Sequence, residues 1–197
     1  VILPPVIPDS EEHEVEAMLY KAKSRGARRA LVSSLGAIAL AKRQGFIPVG
    51  DFRLNCANRE SADVLYALGI SHLILSPELS PARASRIGGG YIVYGRIPLM
   101  LTERCFVKET VGCASCGKAT LTDRRGVSFP VLRTHRHRAL VFNSLPTYVC
   151  DKKKEMDMLS PLHLFLFTDE SADVMRTVMK AAKEGASLPF AVRRLFK

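Results

Sequence analysis

Over the first hundred residues, short apolar runs alternate with stretches whose apolar positions recur every three or four residues. Residues 1–7 form an apolar run broken by prolines, which suits a strand entering a loop. Asp9 and Ser10, followed by Glu11, Glu12 and Glu14, mark a helix start, because acids in a first turn complement the helix dipole. Val15, Met18 and Leu19 then give an apolar stripe at helical spacing, and Gly26 closes the segment. The same signals predict strands at 30–33, 46–50, 72–76 and 91–94. They predict helices at 35–43, 61–68 and 80–86, stopped by Gly45, Gly69 and the run Gly88-Gly89-Gly90. Strands alternating with helices predict an α/β fold with a parallel sheet, and a barrel and an open doubly wound sheet fit equally well. The strands are short and mostly apolar, as expected when both faces of a sheet are covered. No glycine-rich phosphate loop is present, since Gly88–Gly90 precedes a strand rather than a helix.

From Arg96 the pattern changes. Residues 96–158 are rich in Cys, Arg, Gly and Pro, with β-like runs at 118–121, 128–132, 140–142 and 147–149. Asp123-Arg124-Arg125-Gly126 reads as the turn between the first two. The α/β pattern then returns, with a strand at 162–167, a helix at 171–183 ended by Gly185, and a basic tail at 190–197. The predicted organisation is a partial α/β barrel at 1–95, a β-rich Cys/Arg subdomain at 96–158, and a returning strand and helix at 159–197.

Composition narrows the class. Apolar residues make up 47% and charged residues 24%, which excludes a disordered chain. No apolar run reaches the roughly 18–20 residues of a membrane span, and no secretory leader pattern opens the chain. Starting at Val1 inside an apolar run, it reads as a fragment of a longer protein. Five cysteines, three of them between 105 and 116, argue against a disulfide framework and for a cytoplasmic setting. Residues 1–100 carry 12 Lys and Arg against 9 Asp and Glu, and residues 101–197 carry 17 against 10. The second half is therefore the expected face for a polyanion such as RNA, although solubility explains the excess equally well.

Candidate chemistry centres on the cysteines. Cys113 and Cys116 form a CxxC between Gly112 and Gly117, and Cys105 lies eight positions upstream. Two intervening residues let both sulfurs point at one ion, and three such thiolates suit zinc or an iron–sulfur cluster. His135, His137 and Cys150 are candidates for a fourth ligand. A redox pair and inert buried thiols are the alternatives. In residues 133–138, alternating Arg and His on a predicted strand would put Arg133, His135 and His137 on one face and Arg136 and Arg138 on the other. These could bind phosphate or a metal, or guard a solvated edge strand. With Arg124 and Arg125 they make the candidate nucleic-acid contacts Arg124, Arg125, Arg133, Arg136 and Arg138. Asp51, Asn55 and Asn58 follow a strand, where barrel enzymes keep reacting groups, and so does Glu78. Each is equally a turn or cap residue. Glu103 and Arg104 beside Cys105 are either supports for that site or a surface pair.

With these residues in view, the chain resembles peptidase family U-thirty-two, the collagenase-like proteases. The matching segments run in order: Gly50-Asp-Phe-Arg-Leu-Asn-Cys-Ala-Asn58, Leu73-Ile-Leu-Ser-Pro-Glu-Leu79 and Tyr94-Gly-Arg-Ile-Pro-Leu-Met-Leu-Thr-Glu-Arg-Cys105. Then come Cys113-x-x-Cys116, Leu121-Thr-Asp-Arg-Arg-Gly126, Phe129-Pro-Val131 and Asn143-Ser-Leu-Pro146. The resemblance implies the C-terminal portion of a TIM-type barrel protein and a [4Fe–4S] cluster. It also implies oxygen-independent hydroxylation of RNA bases or quinone precursors, with RNA favoured. His137 stands where such a member has a cysteine, so the implied metal ligands are Cys105, Cys113, Cys116 and His137, with Cys150 as an alternative and zinc as an alternative metal. Asp51, Asn55 and Glu78 are the catalytic candidates. The expected partners are RNA and either a missing N-terminal barrel portion or a second copy across an open sheet edge, with no membrane. A collagenase-like peptidase and a zinc-stabilised binding domain are the other readings. The chain has neither HExxH nor GxSxG.

Overall fold

Side-chain caps set several of the helix starts that the sequence predicts. In the computed structural model, which describes residues 1–115 and 119–193, Ser34 Oγ accepts the Ala37 N–H at 3.3 Å and opens α2 (Leu35–Arg43). Asn58 Oδ1 accepts the Ser61 N–H at 2.8 Å and opens α3 (Arg59–Ala67). Acids lead the helix α1 (Glu12–Ser24), and Pro81 takes the first position of α4 (Pro81–Ile87), where its missing N–H costs nothing.

The chain packs as two compact units, residues Val1–Ile92 with Lys154–Leu164, and residues 93–153 with those from 165 onward. In the first unit β1 (Arg29–Val32), β2 (Ile47–Gly50) and β3 (His72–Leu73) pair in parallel, with Arg29 opposite Ile47 and Gly50 opposite Leu73. Parallel bridges from Ile2 to Leu31 and from Ile74 to Gly90 continue the sheet on both sides. The strand expected at 1–7 shrinks to the first bridge, since Pro4 and Pro5 offer no N–H to a ladder. The core is apolar and tightly closed: Val15, Leu19, Ala30, Val32, Ala41 and Leu75 are each 1% exposed or less. Burying side chains of this size contributes about 1.5–3 kcal/mol apiece for the larger ones.

The second unit holds the antiparallel sheet β5–β8–β7–β6: β5 (Pro98–Thr102), β6 (Thr120–Thr122), β7 (Ser128–Arg133) and β8 (Ala139–Phe142). The predicted turn is there. Asp123 Oδ1 accepts the Arg125 N–H at 2.8 Å and the Val127 N–H at 3.0 Å, and Gly126 supplies φ = 79°. A second set of strands runs in the order β10–β4–β9, from β10 (His163–Leu166), β4 (Tyr91–Gly95) and β9 (Thr147–Tyr148). Tyr91 N–H bonds Leu162 O, and Gly95 lies against Leu166, so β4 and β10 advance in the same direction. Between β9 and β10 lies the short helix α6 (Lys153–Met158). Helix α7 (Ala172–Glu184) starts at Ser171, whose Oγ accepts the Val174 N–H, ends at Gly185 with φ = 66°, and buries Val178 and Ala181.

The structure is thus mixed α/β with parallel and antiparallel sheets, and among the described residues no barrel closes. Among these residues, no helix is long and apolar enough to cross a membrane. The chain crosses from one unit to the other inside β4, at the start of α6 and inside β10.

His163 opens β10 with its Nε2 sealed from solvent and without a hydrogen-bond partner. Burial pushes its pKa below the ordinary 6.5. The folded chain therefore holds fewer protons than the unfolded one just below that value. The stabilising contribution of the neutral ring is complete above about pH 6.5 and declines as pH falls toward the lower folded value. Urea midpoints measured from about pH 8 to about pH 5 should fall less in His163→Gln than in the parent. Parallel pH profiles for the two proteins would refute this account.

Candidate functional site

The carboxyl ends of parallel strands are where α/β folds gather reacting groups, because the loops that follow the strands open outward together. In the first unit those loops carry Ser33, Asp51, Asn55, Ser76 and Glu78. Asp51, one residue beyond β2, is 1% exposed. Its Oδ1 accepts the Phe52 N–H at 2.9 Å, and its Oδ2 accepts the Ser33 hydroxyl at 2.9 Å and pairs with Arg53. The guanidinium of Arg53 lies 4.7 Å from the centroid of the Phe52 ring. Asp51 therefore ties the end of β1 to the end of β2, with its carboxylate already engaged by three donors.

Asn55 takes a left-handed backbone, φ = 52° and ψ = 39°, which Asn tolerates better than most residues. Its Oδ1 accepts the Ser76 hydroxyl at 2.7 Å, and Ser76 Oγ accepts the Glu78 N–H at 3.3 Å. Asn55 and Glu78 are both exposed. Asn58 is the α3 cap and holds the Cys56 thiol through its carbonyl at 3.6 Å. Burial raises the pKa of Cys56. So the loops place exposed Asn55 and Glu78 on either side of the buried Ser76, which is bonded to both, and set Asp51 with Ser33 and Arg53 beneath them as an anchor. Ser33, Arg53 and Ser76 escape sequence reasoning. The only signal for the two serines is their place at the end of an apolar run.

The cysteine segment lies in the second unit. Thr102 pairs with Ala139 at one end of the β5–β8 ladder. Cys105 follows three residues after Thr102, and His137 precedes Ala139 by two, so both segments leave the same end of the sheet. Glu103 and Arg138 join them: Arg138 Nε and Nη2 donate to the Glu103 carboxylate at 2.7 and 2.9 Å. Cys105 is buried at the N-terminus of α5 (Phe106–Thr110) and packs in a cluster with Val107, Val131, Ala139 and Val141. Cys113 is exposed in a 3₁₀ turn beyond that helix. Cys116 lies outside the described residues. Among the described residues, no three His, Cys, Asp or Glu side chains form a group able to hold a metal ion. The donor types, three thiols and an imidazole, are those that zinc and iron favour. Cys150 follows β9, and the path of β8 and β9 puts it beyond the opposite end of the ladder. It is buried, and burial pushes its thiol up to about 11.

The basic residues do not form the alternating strand expected at 133–138. Residues 134–138 are instead the hairpin loop between β7 and β8, with Thr134 N–H bonding Arg138 O at 2.7 Å and with Arg136 and His137 at positive φ. A strand's two faces therefore do not exist there. Arg138 is 2% exposed, and its guanidinium is committed to Glu103, so it is corrected from nucleic-acid contact to structural tie. Arg133 and Arg136 are exposed at this end of β7, and Arg124 and Arg125 are exposed at its other end. Six residues of strand separate the two pairs by roughly 20 Å.

Comparison with family models, with curated proteins and with solved structures finds no match to the chain.

Proposed function

We propose that the chain is the C-terminal portion of a cytoplasmic protein of the U-thirty-two kind. In this reading it is an iron–sulfur-dependent, oxygen-independent hydroxylase-type enzyme that modifies RNA. Its first unit is then an arc of a TIM-type barrel, supported by the all-parallel order from Ile2 through β1, β2 and β3 to Gly90. The observation that carries the reading is the common exit of the Cys105 and His137 segments from the Thr102–Ala139 end of the ladder, joined by Glu103 and Arg138. Cys105, Cys113, Cys116 and His137 would hold the metal. An iron–sulfur cluster supplies one-electron chemistry, and zinc in the same donors supplies a structural staple instead.

The protein residues have separable tasks. Glu103 and Arg138 hold the two ligand segments in register. Exposed Asn55 and Glu78 offer one amide and one carboxylate toward a substrate, while Asp51 keeps their loop rigid. Arg124, Arg125, Arg133 and Arg136 meet phosphates at two places about 20 Å apart, which suits an extended polyanion.

Anaerobic reconstitution followed by elemental analysis tests this directly. The expected product is brown, holds iron and sulfide, and loses both in a Cys105→Ser/Cys113→Ser variant. Stoichiometric zinc without iron would instead support the zinc-stabilised binding domain, and a metal-free product would sink both. RNA binding measured against salt should lose about one counterion of slope per arginine replaced among the four exposed ones. Cleavage of gelatin by the pure protein, lost in the cysteine variant, would favour the peptidase.

A further inference from the structure

The second unit contains a pocket of about 480 Å³ that the metal-site reading does not use. Its size falls within the range of small-molecule sites. It opens where β4 and β10 end, since Tyr94 lines it from β4 and Asp169, Glu170 and Ser171 line it from the loop after β10. That is the end of a same-direction strand pair at which α/β folds bind ligands.

One side of the pocket carries charge of both signs. Arg96 is four-fifths buried, its side chain 19% exposed. Its Nη1 donates to Asn143 O at 3.2 Å and to Ser144 O. Its Nε is sealed from solvent without a hydrogen bond, and Asp169 Oδ1 stands 3.5 Å away. The Glu170 carboxylate accepts the Tyr94 hydroxyl at 2.9 Å and the Thr168 N–H at 2.6 Å. With the Thr168 hydroxyl 3.4 Å from the same oxygen as its N–H, these bonds fix the carboxylate's direction and leave Oε1 a second lone pair. Burial and the neighbouring Glu170 keep the Tyr94 phenol protonated, so it stays a donor. The other side is apolar, formed by Leu145, Pro146, Val174 and Phe190.

We infer that this pocket binds a free α-amino acid with an apolar side chain. A guanidinium beside two carboxylates matches a ligand that carries a carboxylate and an ammonium on one carbon. A simple anion would meet Asp169 and Glu170 as like charges, and a simple cation would meet Arg96. Only a zwitterion satisfies both signs at once. The apolar wall, to which Phe190 contributes, selects the side chain. This site stands on its own residues and does not depend on the metal-site reading.

Isothermal titration of the full chain with L-leucine, N-acetyl-L-leucine, L-leucinamide and glycine tests the inference. L-Leucine should bind, and each of the other three should bind about tenfold more weakly or worse, because each loses one of the two charged contacts or leaves the apolar wall bare. Asp169→Asn should weaken L-leucine by about tenfold. Val174→Phe, which fills the pocket without touching its charges, should abolish binding while the chain remains folded by circular dichroism. Equal binding of either blocked leucine, unchanged affinity in Val174→Phe, or no binding of L-leucine at millimolar concentration would overturn it.

Discussion

Gly95→Ala is expected to destabilise the second unit by about 4 kcal/mol, roughly the sum of backbone strain and overpacking. Gly95 ends β4 at φ = 136°, a conformation that residues with a Cβ rarely adopt. A Cβ there would lie 2.4 Å from Leu166 O and 2.7 Å from Leu166 Cβ, so the obstacle is a neighbouring backbone that cannot turn aside. Relief requires β4 and β10 to separate, and Tyr94, 1% exposed and packed edge-on to Tyr148 with ring centroids 6.5 Å apart, would separate with them. Against a total stability of about 5–15 kcal/mol, a loss of this size is severe. Gly126→Ala is the control: φ is again positive, at 79°, but nothing lies within 4 Å of the new Cβ. It should cost about 1 kcal/mol from strain alone. Urea unfolding of the two variants separates the clash from the strain, and equal losses would show that the close approach to Leu166 does not matter.

Asp51→Ala carries the second-largest effect, about 3 kcal/mol, and Asp51→Asn about half of that. The alanine removes the acceptor of the Ser33 hydroxyl and the Phe52 N–H and leaves Arg53, 24% exposed, without its carboxylate. The asparagine keeps an oxygen for the Phe52 N–H but loses the ion pair. Because Arg53 reaches solvent, the loss stays below that of a fully buried pair. By contrast, Glu78→Gln should move the urea midpoint little, since its side chain is exposed. This split distinguishes a buried anchor from a carboxylate that faces solvent. A stability loss at Glu78 equal to that at Asp51 would contradict it.

Legibility in the sequence followed the range of the interactions. Helix α7 is readable because Ser171, the spaced apolar residues Val174 and Val178, and Gly185 all lie within one segment. The Asp123–Gly126 turn is readable for the same reason. Strand β5 is not, because Pro98 and the unalternating Leu99, Met100 and Leu101 carry no period of two, and a register shift between Pro98 and Met100 interrupts its ladder. Helix α5 is too short, at five residues, to show a helical period. The hairpin at 134–138 hides its turn, because Arg136 and His137 occupy the positive-φ positions where Gly or Asn would have announced it. In the candidate site, Asp51 and Asn55 were visible as polar residues after a strand. Their partners Ser33 and Ser76 lie 18 and 21 residues away, and only the parallel register brings them into reach.

The three crossings between units set an order of events during synthesis. The first unit needs Leu162, whose carbonyl receives the Tyr91 N–H and whose side chain lies against Gly90, and this residue is translated only after most of the second unit. At about 5–20 residues per second, the parallel strands wait several seconds on the ribosome for their last piece. During that interval the edge at Gly90 lacks the partner that Leu162 later provides. A shortened chain ending at residue 92 would carry the same unfinished edge permanently.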